Sequence, residues 1–183
     1  MRVVAIVGLP GSGKSEAATV AREAGLPVIT MGDVIRSVAT DRGLAVTESN
    51  LGHVATTLRE EQGKAAVAEA SLPMIEEAVE TSDTVLVDGI RGIAEVEFFI
   101  DRFGEDLTLV AIDVPFATRL ERIRDRGRDP TAEERADLKK RDKRELGYGM
   151  GEAIEQADIT IENSGDLATF RDRIRELLLS DTL

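Results

Sequence analysis

The chain has no cysteine and no tryptophan, one histidine and one tyrosine, and aromatic residues make up only 3% of its 183 positions. Without cysteine there is no disulfide framework and no thiolate metal site, which excludes a disulfide-stapled secreted scaffold and a zinc ribbon alike. His53 has no histidine partner and sits in a helix-like stretch, so it reads as a surface or packing residue. Long hydrophobic runs are also missing. No apolar stretch reaches the ~20 residues of a spanning helix, and the N-terminal run is shorter than a signal-peptide core. A soluble, cytoplasmic protein with no membrane partner is expected.

Positive charge is scarce as well. Lys and Arg number 23 against 35 Asp and Glu, for a formal net charge of −12. A phosphate backbone would be repelled by that balance, so no nucleic-acid partner is expected. Lysine is rarer still: only Lys14, Lys64, Lys139, Lys140 and Lys143 occur, and every other basic residue is arginine. An acidic, lysine-poor surface suits a halophilic cytoplasm. There the Debye length falls to about 3 Å at molar salt, and such a surface repels itself little. An ordinary acidic protein is the other reading. The length itself fits one compact domain able to bury a full core.

What is present is concentrated near the N-terminus. Gly8-Leu9-Pro10-Gly11-Ser12-Gly13-Lys14-Ser15 matches the phosphate-binding pattern G-x-x-x-x-G-K-[ST] in full. The apolar run Val3–Val7 precedes it and an alanine-rich, helix-like stretch follows from Glu16 to Ala24. That context matters because the loop works at a strand-to-helix turn, where backbone N–H groups converge on a polyphosphate at the positive end of a helix.

Five short apolar runs alternate with helical segments: Val3–Val7, Pro27–Thr30, Thr84–Val87, Leu107–Ile112 and Ile159–Ile161. Each is mostly apolar and not strictly alternating, as strands buried on both faces of a parallel sheet must be. The expected fold is α/β, with a five-stranded parallel sheet and helices on both faces. The last helix shows Leu167, Phe170, Ile174, Leu177 and Leu178 at helical spacing, with Asn163-Ser164 as cap candidates. Two intervals exceed simple crossovers. Residues 31–82 hold helical patterns broken at Gly43, Gly63 and Pro73. Residues 127–151 hold a charged helix beginning near Thr131, with Thr131 and Glu134 as a capping box, and end in Gly147-Tyr148-Gly149-Met150-Gly151. A single domain is expected, with core 1–30, 83–126 and 152–183, an acceptor-binding helical insert over 31–82, and a lid over 127–151. A solvated surface hairpin is the plainer reading of that last segment.

These residues resemble the nucleoside monophosphate kinase family, adenylate kinases above all, and hence a P-loop NTPase fold. Gly32-Asp33-Val34-Ile35-Arg36 follows the second apolar run, and Asp88-Gly89-Ile90-Arg91 follows the third. A helix starting near Pro115 carries Arg119, Arg122 and Arg126. Ala157 to Gly165 looks more like dephospho-coenzyme A kinases, and the assembly as a whole resembles a family of adenylate-kinase-like archaeal proteins. The likeness departs at three points: Met31 stands where adenylate kinases often have Thr, the Pro before Arg91 is missing, and the base-reading Gln has no clear match among Ile93, Ala94 and Glu95.

The motif and the resemblance assign roles. Gly8, Leu9, Pro10, Gly11, Ser12, Gly13, Lys14 and Ser15 bind ATP, with Lys14 bridging the β- and γ-phosphates. Ser15 and Asp88 are the Mg²⁺ residues, Asp88 through water. Asp33 has three readings: ordering metal-bound waters, accepting an acceptor's proton, or capping its helix. Arg36 and Arg91 clamp an acceptor phosphate. By resemblance, Arg126 and Arg141 cover the transferring phosphoryl group and Arg122 stacks on the ATP base. Asn163 lies near the adenine or caps the last helix. Arg119 reads as a solvated partner of nearby acids. Phosphoryl transfer to a nucleotide-like, phosphate-bearing small molecule is the expected function. Phosphorylation of a ribose hydroxyl in the manner of dephospho-coenzyme A kinases, an ATPase switch acting on a protein partner, and an idle nucleotide-binding module are the alternatives.

Overall fold

The computed structural model describes residues 1–123 and 132–180. Five parallel strands, β1 (Arg2–Val7), β2 (Val28–Thr30), β3 (Thr84–Asp88), β4 (Leu107–Asp113) and β5 (Ile159–Glu162), form one sheet in the order β2-β3-β1-β4-β5. The helices are α1 (Lys14–Glu23), α2 (Met31–Asp41), α3 (Glu48–Gln62), α4 (Ala66–Thr81), α5 (Ile93–Phe103), α6 (Phe116–Ile123), α7 (Ala132–Gly147), α8 (Met150–Glu155) and α9 (Leu167–Leu179).

The apolar strands have a simple cause. In β1, Val3, Ala5 and Val7 join one core with residues of α2 to α5 and α8, while Val4 and Ile6 join another with α1 and α9. Successive side chains point to opposite faces, so a sheet covered on both sides needs apolar residues at every position. Each strand expected from the sequence is present, and β1 lies centrally between β3 and β4. The chain leaves β1 toward β2 and β3 on one side and reaches β4 and β5 on the other. The carboxyl end of β1 is therefore the switch point at which open α/β sheets form their ligand crevice. Arg2 ties the far end of the sheet to α9, donating to the carbonyls of Leu177, Leu178 and Ser180 at 2.7–3.1 Å.

Three local expectations need correction. Pro73 does not break the helical pattern, because it lies inside α4. Both Pro73 and Glu69, whose carbonyl loses its helical donor, are exposed, so water can take the place of the missing N–H. The cap of α9 is Asp166 and not Asn163-Ser164: its carboxylate accepts from the Thr169 amide at 2.9 Å. Leu167, the first residue of α9, is 57% exposed, and the buried stripe starts at Phe170. Thr131, Arg126 and the rest of 124–131 fall outside the described residues.

Candidate functional site

Between Val7 and Lys14 the chain turns from β1 into α1. Gly13 has φ +109°, and a Cβ there would stand 2.6 Å from Asn163 Nδ2, so only glycine fits. That closeness reflects a bond. Asn163, buried at the end of β5, donates Nδ2 to the Ser12 carbonyl at 2.8 Å. Arg122 Nη2 in turn donates to the Asn163 carbonyl at 2.7 Å and to its Oδ1 at 3.3 Å. Arg122 and Asn163, expected on the nucleotide side, therefore stand together against the loop. Beside them, residues of the β5–α9 connection enclose a hollow of about 210 Å³.

Lys14 folds back over the loop, donating Nζ to the Gly8 carbonyl at 2.6 Å and the Leu9 carbonyl at 3.2 Å. Burial lowers its pKa below the usual lysine value. Asp88 and Glu145 oppose that shift and Arg91 and Arg119 reinforce it, so all four charges bear on one ammonium. The buried Ser12 hydroxyl has no hydrogen-bond partner among the described residues. A desolvated cation and an orphaned hydroxyl, beside the first-turn amides that a helix leaves unpaired, make a receptor for an anion.

Ser15 is exposed in the first turn of α1, and Asp88 is half-buried at the carboxyl end of β3. Among the described residues no group of three or more His, Asp or Glu side chains converges on a cation site. One hydroxyl and one carboxylate are the sparse set that suits Mg²⁺ when phosphate oxygens and water complete the shell. The residues fit ATP with Mg²⁺.

The arginines divide sharply. Arg119 is not a solvated residue: it is 3% exposed, donates Nη1 to the Pro10 carbonyl at 2.9 Å, and grips Asp142 of α7 with both terminal nitrogens. Arg91 donates Nη1 to Glu145, also on α7, at 2.8 Å, and its backbone N–H donates to Glu95 Oε2 at 2.7 Å. Glu145 is 3% exposed. Arg36 pairs with Asp33 one turn back in α2, both half-exposed. Arg141 is exposed on α7 and makes no ion pair among the described residues.

Asp142, Glu145 and the buried role of Arg119 had no local signal. The three lie in highly charged stretches whose partners are 23 to 109 residues away. Only the spacing of Asp142 and Glu145, one helical turn apart on a helix otherwise poor in apolar residues, hinted that one face of α7 meets the protein through charge.

The family model described as AAA domain matches residues 7–139. A UPF0200/UPF0201 protein of Archaeoglobus fulgidus is 50% identical over 98% of this chain, which spans 55% of that relative's length. A UPF0200 protein of Halobacterium salinarum is 50% identical over the whole chain and is itself 95% covered, and one of Methanosarcina mazei is 47% identical over 97% of the chain and is 94% covered. Among solved structures, the protein TT1252 of Thermus thermophilus superposes with TM-score 0.66 at 18% identity, covering 99% of this chain and 98% of its own. A shikimate kinase of Bacteroides thetaiotaomicron superposes with TM-score 0.55 at 18% identity, covering 97% and 98%. A gluconokinase of Sinorhizobium meliloti gives TM-score 0.53 at 16% identity, covering 97% and 91%. At such identities the likeness is one of fold, the P-loop kinase fold. With half its residues shared with archaeal relatives along nearly its full length, the chain belongs to the UPF0200 family of P-loop proteins.

Proposed function

We propose that the protein is an ATP-dependent kinase that transfers a phosphoryl group to a nucleotide-like, phosphate-bearing small molecule. The observation that carries this reading is the β1–α1 turn itself, where Lys14 lies over the Gly8 and Leu9 carbonyls beside the unpartnered Ser12 hydroxyl and Arg119 holds the Pro10 carbonyl. Phosphoryl transfer asks the protein mainly for positioning and charge compensation, and such a site supplies both. The loop from Gly8 to Ser15 would hold the triphosphate and Lys14 would offset charge as the γ-phosphoryl leaves. Ser15 and Asp88 would hold Mg²⁺, which neutralises phosphate charge when bound. Arg91 and Arg36 would grip the acceptor's phosphate. Arg141, from the proposed lid of residues 127–151, would cover the transferring phosphoryl group together with Arg126, which directly precedes that segment. Asp33 would stand beside Arg36 near the reacting groups. Arg122 and Asn163 would border the base of ATP.

Two phosphate-gripping arginines beyond the loop favour an acceptor site over a bare ATPase switch. The deciding experiment is ADP release, coupled to a reporter, across nucleoside monophosphates, deoxynucleotides and dephospho-coenzyme A. Acceptor-dependent turnover that Lys14→Ala reduces by roughly 10²-fold or more supports the kinase. Equal turnover with and without every acceptor overturns it. Turnover of dephospho-coenzyme A alone moves the transfer to a ribose hydroxyl.

A further inference from the structure

A second concavity lies beside Arg91. It encloses about 420 Å³ between α3, the start of α5 and the corner where α7 meets α8. Arg36 does not line it, whereas Arg91 does. Its walls combine three elements. Ile93, Leu146 and Tyr148 supply apolar surface, and Leu146 and Tyr148 are 50% and 48% exposed. Arg59 holds buried Glu95 at 2.9 Å and stands 5.8 Å from the centre of the Tyr148 ring. Lys64, exposed and without an ion pair among the described residues, marks the outer rim.

Tyr148 is the chain's only tyrosine, and its position is built with care. The Tyr148 carbonyl accepts from the Ile93 N–H at 3.3 Å, and a Cβ on Gly92 would come within 2.0 Å of that oxygen. Gly92 has extended backbone that any residue adopts, so the constraint there is contact alone. The corner is pressed onto the start of α5, which fixes an aromatic ring at the mouth of a cavity while leaving half of it in water. A ring held that way costs apolar exposure without adding to the core.

We infer that this cleft seats the body of the acceptor: a planar ring carrying an anionic group, stacked on Tyr148 with its charge toward Arg91. The inference rests on the kinase reading and deepens it by naming what the acceptor looks like. Size agrees, since pockets for small organic ligands run from about 300 Å³ upward. The chemistry also agrees: aromatic faces and guanidinium planes are the surfaces that planar heterocycles stack on. Glu95, behind the same wall, is occupied within the protein: Oε1 accepts from Arg59 and Oε2 from the Arg91 N–H, which holds both arginines at the cleft. Arg91 links the two halves of the site, because it lines the cleft while its partner Glu145 bears on Lys14. Arg91 is half-exposed and uses Nη1 on Glu145, so an incoming anion is met by its remaining guanidinium N–H groups while Glu145 keeps its partner.

The test uses the absence of tryptophan: tyrosine emission from this protein comes from Tyr148 alone. The protein is titrated with AMP, CMP, GMP and UMP, with benzoate as a ring carboxylate, and with ribose 5-phosphate as an anion lacking the ring. A saturable, absorbance-corrected change with a ring-bearing anion is expected. In calorimetry Tyr148→Ala weakens that ligand by about fivefold or more, Tyr148→Phe restores it, and ribose 5-phosphate binds both proteins alike. Response to benzoate alone assigns the ring carboxylate as the source, and response to the monophosphates assigns nucleotides. Flat emission across the panel overturns the inference, as does Tyr148→Ala binding at parental strength. The two readings fail separately. Acceptor-dependent ADP release with an unchanged acceptor KM in Tyr148→Ala removes the cleft and leaves the kinase, whereas saturable emission without any turnover leaves the cleft and removes the kinase.

Discussion

Arg119 and Asp142 meet at two points, Nη1 on Oδ1 and Nη2 on Oδ2, each at 2.8 Å, and the same guanidinium holds the Pro10 carbonyl. Both side chains are largely buried, at 4% and 14% exposure. One arginine thus fixes the phosphate loop and α7 in a single geometry.

Breaking that pair leaves an unpaired charge in a dry setting. Arg119→Ala or Asp142→Ala should cost about 3–5 kcal/mol of stability, measured by urea unfolding. The double variant should cost clearly less than the sum of the two singles. Strict additivity would show that the pair carries no coupling.

Lys14 gives a pH dependence with a definite sign. Its pKa is lowered by burial, so the free protein loses this proton at a pH where an ordinary lysine keeps it. A polyanion favours the charged form. ATP affinity should therefore fall as pH rises through the lowered value, and binding in that range should take up a proton, seen in calorimetry as a dependence on buffer ionisation heat. Proton release in the alkaline range would contradict the assignment.

Gly13→Ala tests the loop's geometry. A Cβ would collide with Asn163 Nδ2 on a backbone at φ +109°, where an L side chain costs about 1–2 kcal/mol before any clash. ATP binding should weaken by tenfold or more, on the order of 1.4 kcal/mol, while circular dichroism stays native. Asn163→Ala should act in the same direction through loss of its bond to Ser12.

Arg36→Ala should raise the acceptor KM more than that for ATP, since Arg36 lies on α2 and pairs with Asp33 of the same helix, not with the loop's residues. Equal effects on both would remove Arg36 from the acceptor side.

With a net charge of −12, self-repulsion opposes compaction at low ionic strength. The melting temperature should rise as KCl reaches molar levels, because screening then shortens the range of repulsion to about 3 Å. A flat or falling curve would point to an ordinary acidic surface.

The strands and the phosphate loop were readable because their signals are local. Val3 to Val7 is apolar for the sheet's two faces, and Gly8 to Ser15 is spaced for one turn. Pro73 misled because a helix-breaking residue is judged without knowing whether its lost bond faces water. Asn163 was expected near the adenine or as a cap, and the structure shows it reaching 151 positions back to Ser12. Arg119 read as an ordinary surface cation, since nothing nearby in the chain announces Asp142 or Pro10. Pairings across long separations are chosen by tertiary placement, and a helix as polar as α7 gives no apolar stripe to show which side turns inward.

The bond from Asn163 to Ser12 has a consequence for synthesis. On the ribosome, β1 and its turn emerge well before β5, and the residue that braces the turn is added 151 positions after Ser12. Nascent chains ending before β5 should carry the whole glycine-rich motif while lacking its brace, so nucleotide competence is a late event in the life of each molecule.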